Sequence, residues 1–342
     1  MGISFAGLIK GREMELKELS GRRIAIDSSN VLYQFLSTIR DRFTGEPLKD
    51  SSGNVTSHLS GLFYRTSKLI ESGIKLVYVF DGEPPSFKKR TTEARIKVRE
   101  EAREKWKQAL AEGRTEDVRR YAQAATRLTK DMTEESKELL NLMGVPWIQA
   151  PSEAEAQAAC LATKGDVWAV GSQDWDSLLF NAPRLARNLT ISGRKKVAGK
   201  ESYITMKPEL VELPDVLKEL GINHEQLICL GILIGTDYNP GGVKGMGPKT
   251  ALGLVREQKT PERVFKSVEW EFDILPEVIF DFFKQPPVDK GTEIKIPKLD
   301  RDKLKEFMVE KHDFSEDRIE SALKRLEERE DDKKQSRLGK FF

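Results

Sequence analysis

The 342-residue chain holds two cysteines and three histidines, and each scarcity removes a class of chemistry. Cys160 and Cys229 stand in apolar, helix-like surroundings with no CxxC and no histidine nearby, so neither a disulfide framework nor a zinc site is expected. His58, His224 and His312 are scattered along the chain. They leave little material for a histidine-ligated metal or a Ser-His-Asp triad, and each reads as an ordinary surface or capping residue. Long apolar runs are also missing. The strongest, 228–235, is far short of the roughly 18 residues that a membrane span requires. The N-terminal MGISFAGLIKGRE has no basic region or small-residue cleavage site, and Ala6 occupies the Ser/Thr position of a myristoylation signal. An intracellular, membrane-free protein is expected. Nor does one sign of charge dominate, because 57 basic and 55 acidic residues leave a net charge of +2. Any nucleic-acid surface must therefore arise from local segregation of charge.

What is present is an ordinary globular composition, 38% apolar with 25 glycines, and an unusually high charged fraction of 33%. Abundant Lys, Arg and Glu with few Asn, Gln and Cys lean toward a thermophilic source. Short β-branched runs, RRIAID at 22–27, KLVYVFD at 75–81 and DVWAVGSQD at 166–174, alternate with helical patterns at 31–39, 57–71 and 134–143. That alternation predicts an α/β fold with a mostly parallel central sheet flanked by helices. From 84 to 137 the chain becomes long, charged and helical, and reads as an insertion outside the sheet. Its stretch from Lys88 to Lys130 carries 14 basic side chains against 8 acidic ones when the adjoining Asp131 is included. A helical part follows from about Pro208, then a charged amphipathic pair at 301–329. The final EDDKKQSRLGKFF reads as a disordered tail.

Acidic residues recur at the ends of the apolar runs: Asp27, Asp81, the pair Asp174 and Asp176, and Asp237 after ICLGILIGTD. Singly, each reads as a helix cap or a turn. Asp174 and Asp176 share a face if the chain there is extended. PSEAEAQAA adds Glu153 and Glu155. Ser152 and Glu155 fit a capping box, and residues two apart diverge on a helix, so the two glutamates converge only if Glu153 lies on the lead-in. Carboxyl ends of strands in an open α/β sheet form its ligand crevice. Seven carboxylates gathered there would repel one another and take up protons unless cations neutralised them. All-oxygen ligation selects hard divalent ions, Mg²⁺ or Mn²⁺. Two such ions about 4 Å apart suit in-line attack of water on a phosphodiester.

The segments MGISFAGLI, IAIDSSNVLYQFL, TSHLSGLFYRT, VYVFDGEPPSFK, APSEAEAQAA, SQDWDSLLF, LIGTDYNPGGVKGMGPKTA and QSRLGKFF resemble, in order and over nearly the whole chain, the flap endonucleases. These are structure-specific 5′ nucleases of archaea and eukaryotes. The resemblance implies a single nuclease domain over 1–330 with a PIN-like core, a helical arch at 84–137, a helix-two-turn-helix at about 225–260, and a clamp-binding tail at 331–342. It assigns Asp27, Asp81, Glu153 and Glu155 to a first Mg²⁺, and Asp174, Asp176 and Asp237 to a second, with Mn²⁺ able to substitute. It implies a monomer that cuts branched DNA near the base of a 5′ flap during replication and repair. A related exonuclease or junction nuclease, or a non-catalytic clamp-tethered DNA-binding protein, are the rival readings.

Further roles follow from the same resemblance. Lys88 and Arg95, about 20° apart on a helix, would stabilise charge at the scissile phosphate; Arg99 and Arg103 extend that side. The bland alternative is a solvated helix held by pairs such as Glu93/Lys97 and Glu101/Lys105. Tyr33 would stack an unpaired base, and Thr56 would line a pocket for a one-nucleotide 3′ flap. GVKGMGPKTALGL does not match GxGxxG. Gly245 and Gly247 would instead open backbone N–H groups to a duplex phosphate, with Lys249 adding charge and K⁺ bound nearby. Gln335, Leu338, Phe341 and Phe342 have the spacing of the sliding-clamp (PCNA) interaction box.

Overall fold

The computed structural model describes residues 3, 5, 7–41, 43–190, 194–196 and 203–326. Within them the strands are β1 (Arg12–Glu13), β2 (Arg23–Asp27), β3 (Lys75–Phe80), β4 (Trp147–Gln149), β5 (Ala169–Gly171), β6 (Arg184–Arg187), β7 (Arg194–Lys196), β8 (Tyr203–Thr205) and β9 (Glu209–Glu212). Seven of them form one sheet in the order β1-β9-β6-β5-β2-β3-β4, and β7 pairs with β8 alone. The five strands from β6 to β4 are mutually parallel, whereas β9 and β1 add an antiparallel edge.

Strand periodicity explains the two-sided core. Ala25, Val77, Val79 and Val170 face one apolar cluster with the helices Ala154–Lys164 and His224–Ile234. Their neighbours Ile24, Ile26, Leu76, Tyr78 and Phe80 face the other, with Ser28–Thr38, Ser57–Glu71 and Lys130–Leu142. Burial on both faces is what a parallel sheet requires. The chain builds outward from β2 through β3 to β4, then returns to lay β5 and β6 on the other side of β2. The reversal between β2 and β5 opens a crevice beyond their carboxyl ends.

The insertion consists of a 3₁₀ turn, Ser86–Lys88, the long helix Lys89–Ala111, and Thr115–Ala124 packed back on it. It is shorter than the sequence suggests. Lys130–Leu142, whose first residues the insertion was expected to include, is a core helix with Leu139 and Leu140 buried against Ser57–Glu71 and β4. The insertion is tied down at Trp106, whose Nε1 donates to Thr44 O (3.1 Å), and at Arg40, which donates to Gly45 O and Thr126 Oγ1, both at 2.8 Å. The expected Glu93/Lys97 and Glu101/Lys105 pairs are not among the described ion pairs; Glu104 pairs with Lys107 instead (2.8 Å). The helical part beginning near 208 opens with strand β9. His224–Ile234 and Pro248–Gln258 pack together across the turn at 235–247, and 316–326 closes the second core cluster.

Candidate active site

The crevice collects the acidic residues. Asp27 ends β2 and caps the following helix, accepting from Asn30 N–H at 3.1 Å. Asp81, directly after β3, accepts from Ala154 N–H at 2.8 Å and so caps a helix that is remote in sequence. This close approach needs a glycine next door: a Cβ on Gly82 would lie 2.1 Å from Ala150 O. Glu153 is the N-cap of that helix, extended at φ −74°, ψ 131°. It is thus on the non-helical lead-in, and both it and Glu155 lie close enough to Asp27 for their charges to repel. No Ser152/Glu155 capping box forms; Glu155 Oε1 accepts from Ser172 Oγ (2.9 Å) and Ser177 Oγ (3.2 Å) instead. The condition under which Asp174 and Asp176 would share a face, an extended chain, is not met. Trp175 between them is αR and caps the short helix Asp176–Leu179. A turn, not a strand, delivers both. Asp174 Oδ2 accepts from Asn30 Nδ2 (2.9 Å) and Asp176 Oδ1 from Ile3 N–H (2.8 Å).

Two cations enter from the base of the insertion. Phe87 is wedged edge-on against Tyr238 and Phe282, which places the adjacent Lys88 Nζ 2.7 Å from Glu153 Oε1 and 3.9 Å from Asp237 Oδ2. Arg95 Nη2 donates to Asp237 Oδ1 at 2.5 Å. The electrostatics follow from this uneven supply. Burial lifts Asp27 and Glu155 well above the usual carboxylate range; Asp81, Asp174 and Glu153 add to it for Asp27, and Asp176, Asp27 and Asp174 for Glu155. Burial, then Asp174 and Asp237, push Asp176 up to about 7. Burial likewise raises Glu153 and Asp174. Asp237 goes the other way: burial raises it, but the positive charge around it, Arg95 and Lys88 included, lowers it by more.

Among the described residues no three Asp, Glu, His or Cys side chains stand in finished metal-ligand geometry. Lys88, Arg95, Asn30 and the Ile3 N–H hold carboxylate oxygens instead. The donor set nevertheless fits hard divalent cations: it is all oxygen, and buried carboxylates that raise one another have more negative charge than Lys88 and Arg95 offset.

Of the remaining expected residues, Tyr33 lies beneath the Arg99 guanidinium, 5.1 Å from its ring centroid. Arg99 and Arg103 line a groove of about 670 Å³ under the insertion. Thr56 is buried at the start of Ser57–Glu71. Gly245 (φ 78°) and Gly247 have open space where a Cβ would stand, and Gly247 with Lys249 borders a hollow of about 330 Å³ at a helix start. Gln335, Leu338, Phe341 and Phe342 lie outside the described residues. The sequence reading missed Asn30, Ser172 and Arg187. Arg187 stacks on Trp175 at 4.1 Å and donates to Gln173 O at 3.2 Å; its only signal was a basic residue at a strand end. The histidines are not surface residues throughout either: His58 and His312 are buried, against Glu135 (3.1 Å) and Asp50 (3.4 Å).

Residues 1–102 match the XPG N-terminal domain and 144–237 the XPG I-region. The chain is 53% identical to flap endonuclease 1 of Aeropyrum pernix, with all of both proteins covered. It belongs to the flap endonuclease family. The solved flap endonuclease-1 of Methanococcus jannaschii superposes with a TM-score of 0.75 at 41% identity, over 97% of this chain and 100% of that one. The catalytic core of Rad2 in complex with DNA substrate follows at 0.68 and 28%, over 92% and 96%. As a flap endonuclease, the chain is a divalent-metal-dependent phosphodiesterase with a mixed, mostly parallel sheet flanked by helices. No helix among the described residues is long and apolar enough to cross a membrane.

Proposed function

We propose that this flap endonuclease incises branched DNA near the base of a 5′ flap, using two Mg²⁺ ions held at the sheet edge. Asp27, Asp81, Glu153 and Glu155 would hold one, and Asp174, Asp176 and Asp237 the other. Bound there, the ions would lower the pKa of attacking water and offset charge on the phosphate. The observation that carries the reading is the meeting of Lys88 and Arg95 with Glu153 and Asp237. A phosphate nearing seven carboxylates is repelled, and these two cations give it a positive mouth and stabilise the charge that develops on it. Tyr33 offers a ring for a base, and Arg99 and Arg103 attract the strand backbone. Thr56 belongs, on this reading, to a pocket for a short 3′ flap. The exposed turn at Gly245, Gly247 and Lys249 suits a duplex phosphate, with K⁺ beside it. Gln335, Leu338, Phe341 and Phe342 would dock a sliding clamp (PCNA), which places a monomeric enzyme at replication and repair sites.

The test is cleavage of a 5′-labelled double-flap DNA beside single-strand and blunt-duplex controls, with Mg²⁺ or EDTA. Junction-specific, Mg²⁺-dependent incision is expected, and binding without incision would overturn the reading. In a second arm, deleting 335–342 should spare intrinsic cleavage and abolish stimulation by added clamp.

A further inference from the structure

Asn30 touches both halves of the carboxylate cluster. Its backbone N–H donates to Asp27 Oδ1 (3.1 Å), its Nδ2 donates to Asp174 Oδ2 (2.9 Å), and its Oδ1 accepts from Gln173 N–H (3.4 Å). It stands three residues after the N-cap Asp27, the position from which Glu or Gln ordinarily reaches back to the cap's own N–H. Asparagine has one methylene fewer, and here its amide turns across the boundary between β2 and β5. The two contacts fix its orientation, because only the NH₂ group can donate to a carboxylate and only the oxygen can accept from an N–H.

We propose that Asn30 is a positioning residue that sets the separation of the Asp27 and Asp174 carboxylate groups, and with it the joint binding of two divalent ions. This rests on the two-ion reading above. A neutral amide suits the task. Lysine or arginine there would compete with a cation for Asp174, and a carboxylate would add repulsion to a cluster already rich in negative charge. Ser172 makes a second crossing, donating to Glu155 (2.9 Å) and accepting from Asp174 N–H (3.2 Å). Loss of Asn30 should therefore loosen the arrangement without dissolving it.

The experiment is a Mn²⁺ titration of the metal-stripped full-length chain, read by electron paramagnetic resonance. It compares the wild type with Asn30→Leu, which has the same branching but no side-chain hydrogen bonds and keeps the backbone N–H to Asp27, and Asn30→Ser, whose hydroxyl falls short of Asp174. Thermal melting and flap-DNA binding in Ca²⁺ report that each variant is folded. The wild type should bind two Mn²⁺ ions. Each variant should keep one at near wild-type affinity and bind the other at least tenfold more weakly. The Mg²⁺ concentration for half-maximal cleavage should rise while KM for flap DNA holds. Two ions bound with wild-type affinity in both variants would overturn the role of Asn30. Fewer than two in the wild type would overturn the two-ion reading itself.

Discussion

Arg95 belongs to a helix outside the sheet yet ends on a carboxylate at the sheet's edge. Its partner Asp237 follows the helix His224–Ile234, so one ion pair joins two parts of the chain 142 residues apart. If the guanidinium serves the developing charge on a phosphate, Arg95→Ala should lower the single-turnover rate by about 10²–10³-fold. Flap binding should weaken far less, and the reverse ordering in paired rate and binding measurements would make Arg95 a tether. The same residue shows what sequence could reveal. Lys88 and Arg95 were legible as a basic pair seven residues apart, although Lys88 stands on the 3₁₀ turn before the helix that carries Arg95; their carboxylate partners were not legible. Phe87, packed on Tyr238 and Phe282, aims the helix, and no local pattern announces such a contact. Asn30 was illegible for a related reason, since a polar residue in the first helical turn reads as a cap.

At the scale of elements, β2 and β3 were legible because buried parallel strands are continuous apolar runs. The antiparallel edge of β1, β9 and β6 was not. Its strands are short, and cross-strand pairs such as Arg184–Glu212 (3.1 Å) and Arg187–Glu209 (3.3 Å) read in one dimension as solvated charge. The Asp174/Asp176 pair was foreseen as a pair, whereas its backbone was not, because turn and strand conformations present the same two letters. The boundary of the insertion was set too late because amphipathic helices share one pattern whether they pack on a core or arch over a groove. The loop after β3 supplies the prediction at this scale. An added methyl at Gly82 meets Ala150 O and Pro151 O, so Gly82→Ala should push the loop away and weaken the Asp81–Ala154 cap. A loss of about 1–3 kcal/mol in thermal melting, with slower cleavage, is expected; unchanged melting would contradict the contact.

Across the whole molecule, the last described segment is fastened to the first third of the chain. His312, packed on Phe307, meets the buried Asp50 carboxylate at 3.4 Å, and Asn54 donates to it twice, at 2.8 and 3.0 Å. Burial alone would raise Asp50, but Asn54 and His312 hold it below its ordinary value. A lowered carboxyl stabilises the fold above its unfolded-state value of about 3.9, and that contribution disappears as the pH falls through the lower native value. Asp50→Ala should therefore melt earlier than wild type at pH 7, and the gap should narrow on acidification below about pH 4. A gap that stays constant would remove the carboxylate from the account. The strand order carries a consequence in time. Because β5 and β6 are laid beside β2 only after β3 and β4, the crevice draws on chain from Asp27 to Asp237. At a synthesis rate of about 5–20 residues per second, roughly 10–40 s separate the first of these carboxylates from the last. A growing polypeptide thus cannot close its acidic crevice until most of the chain has left the ribosome.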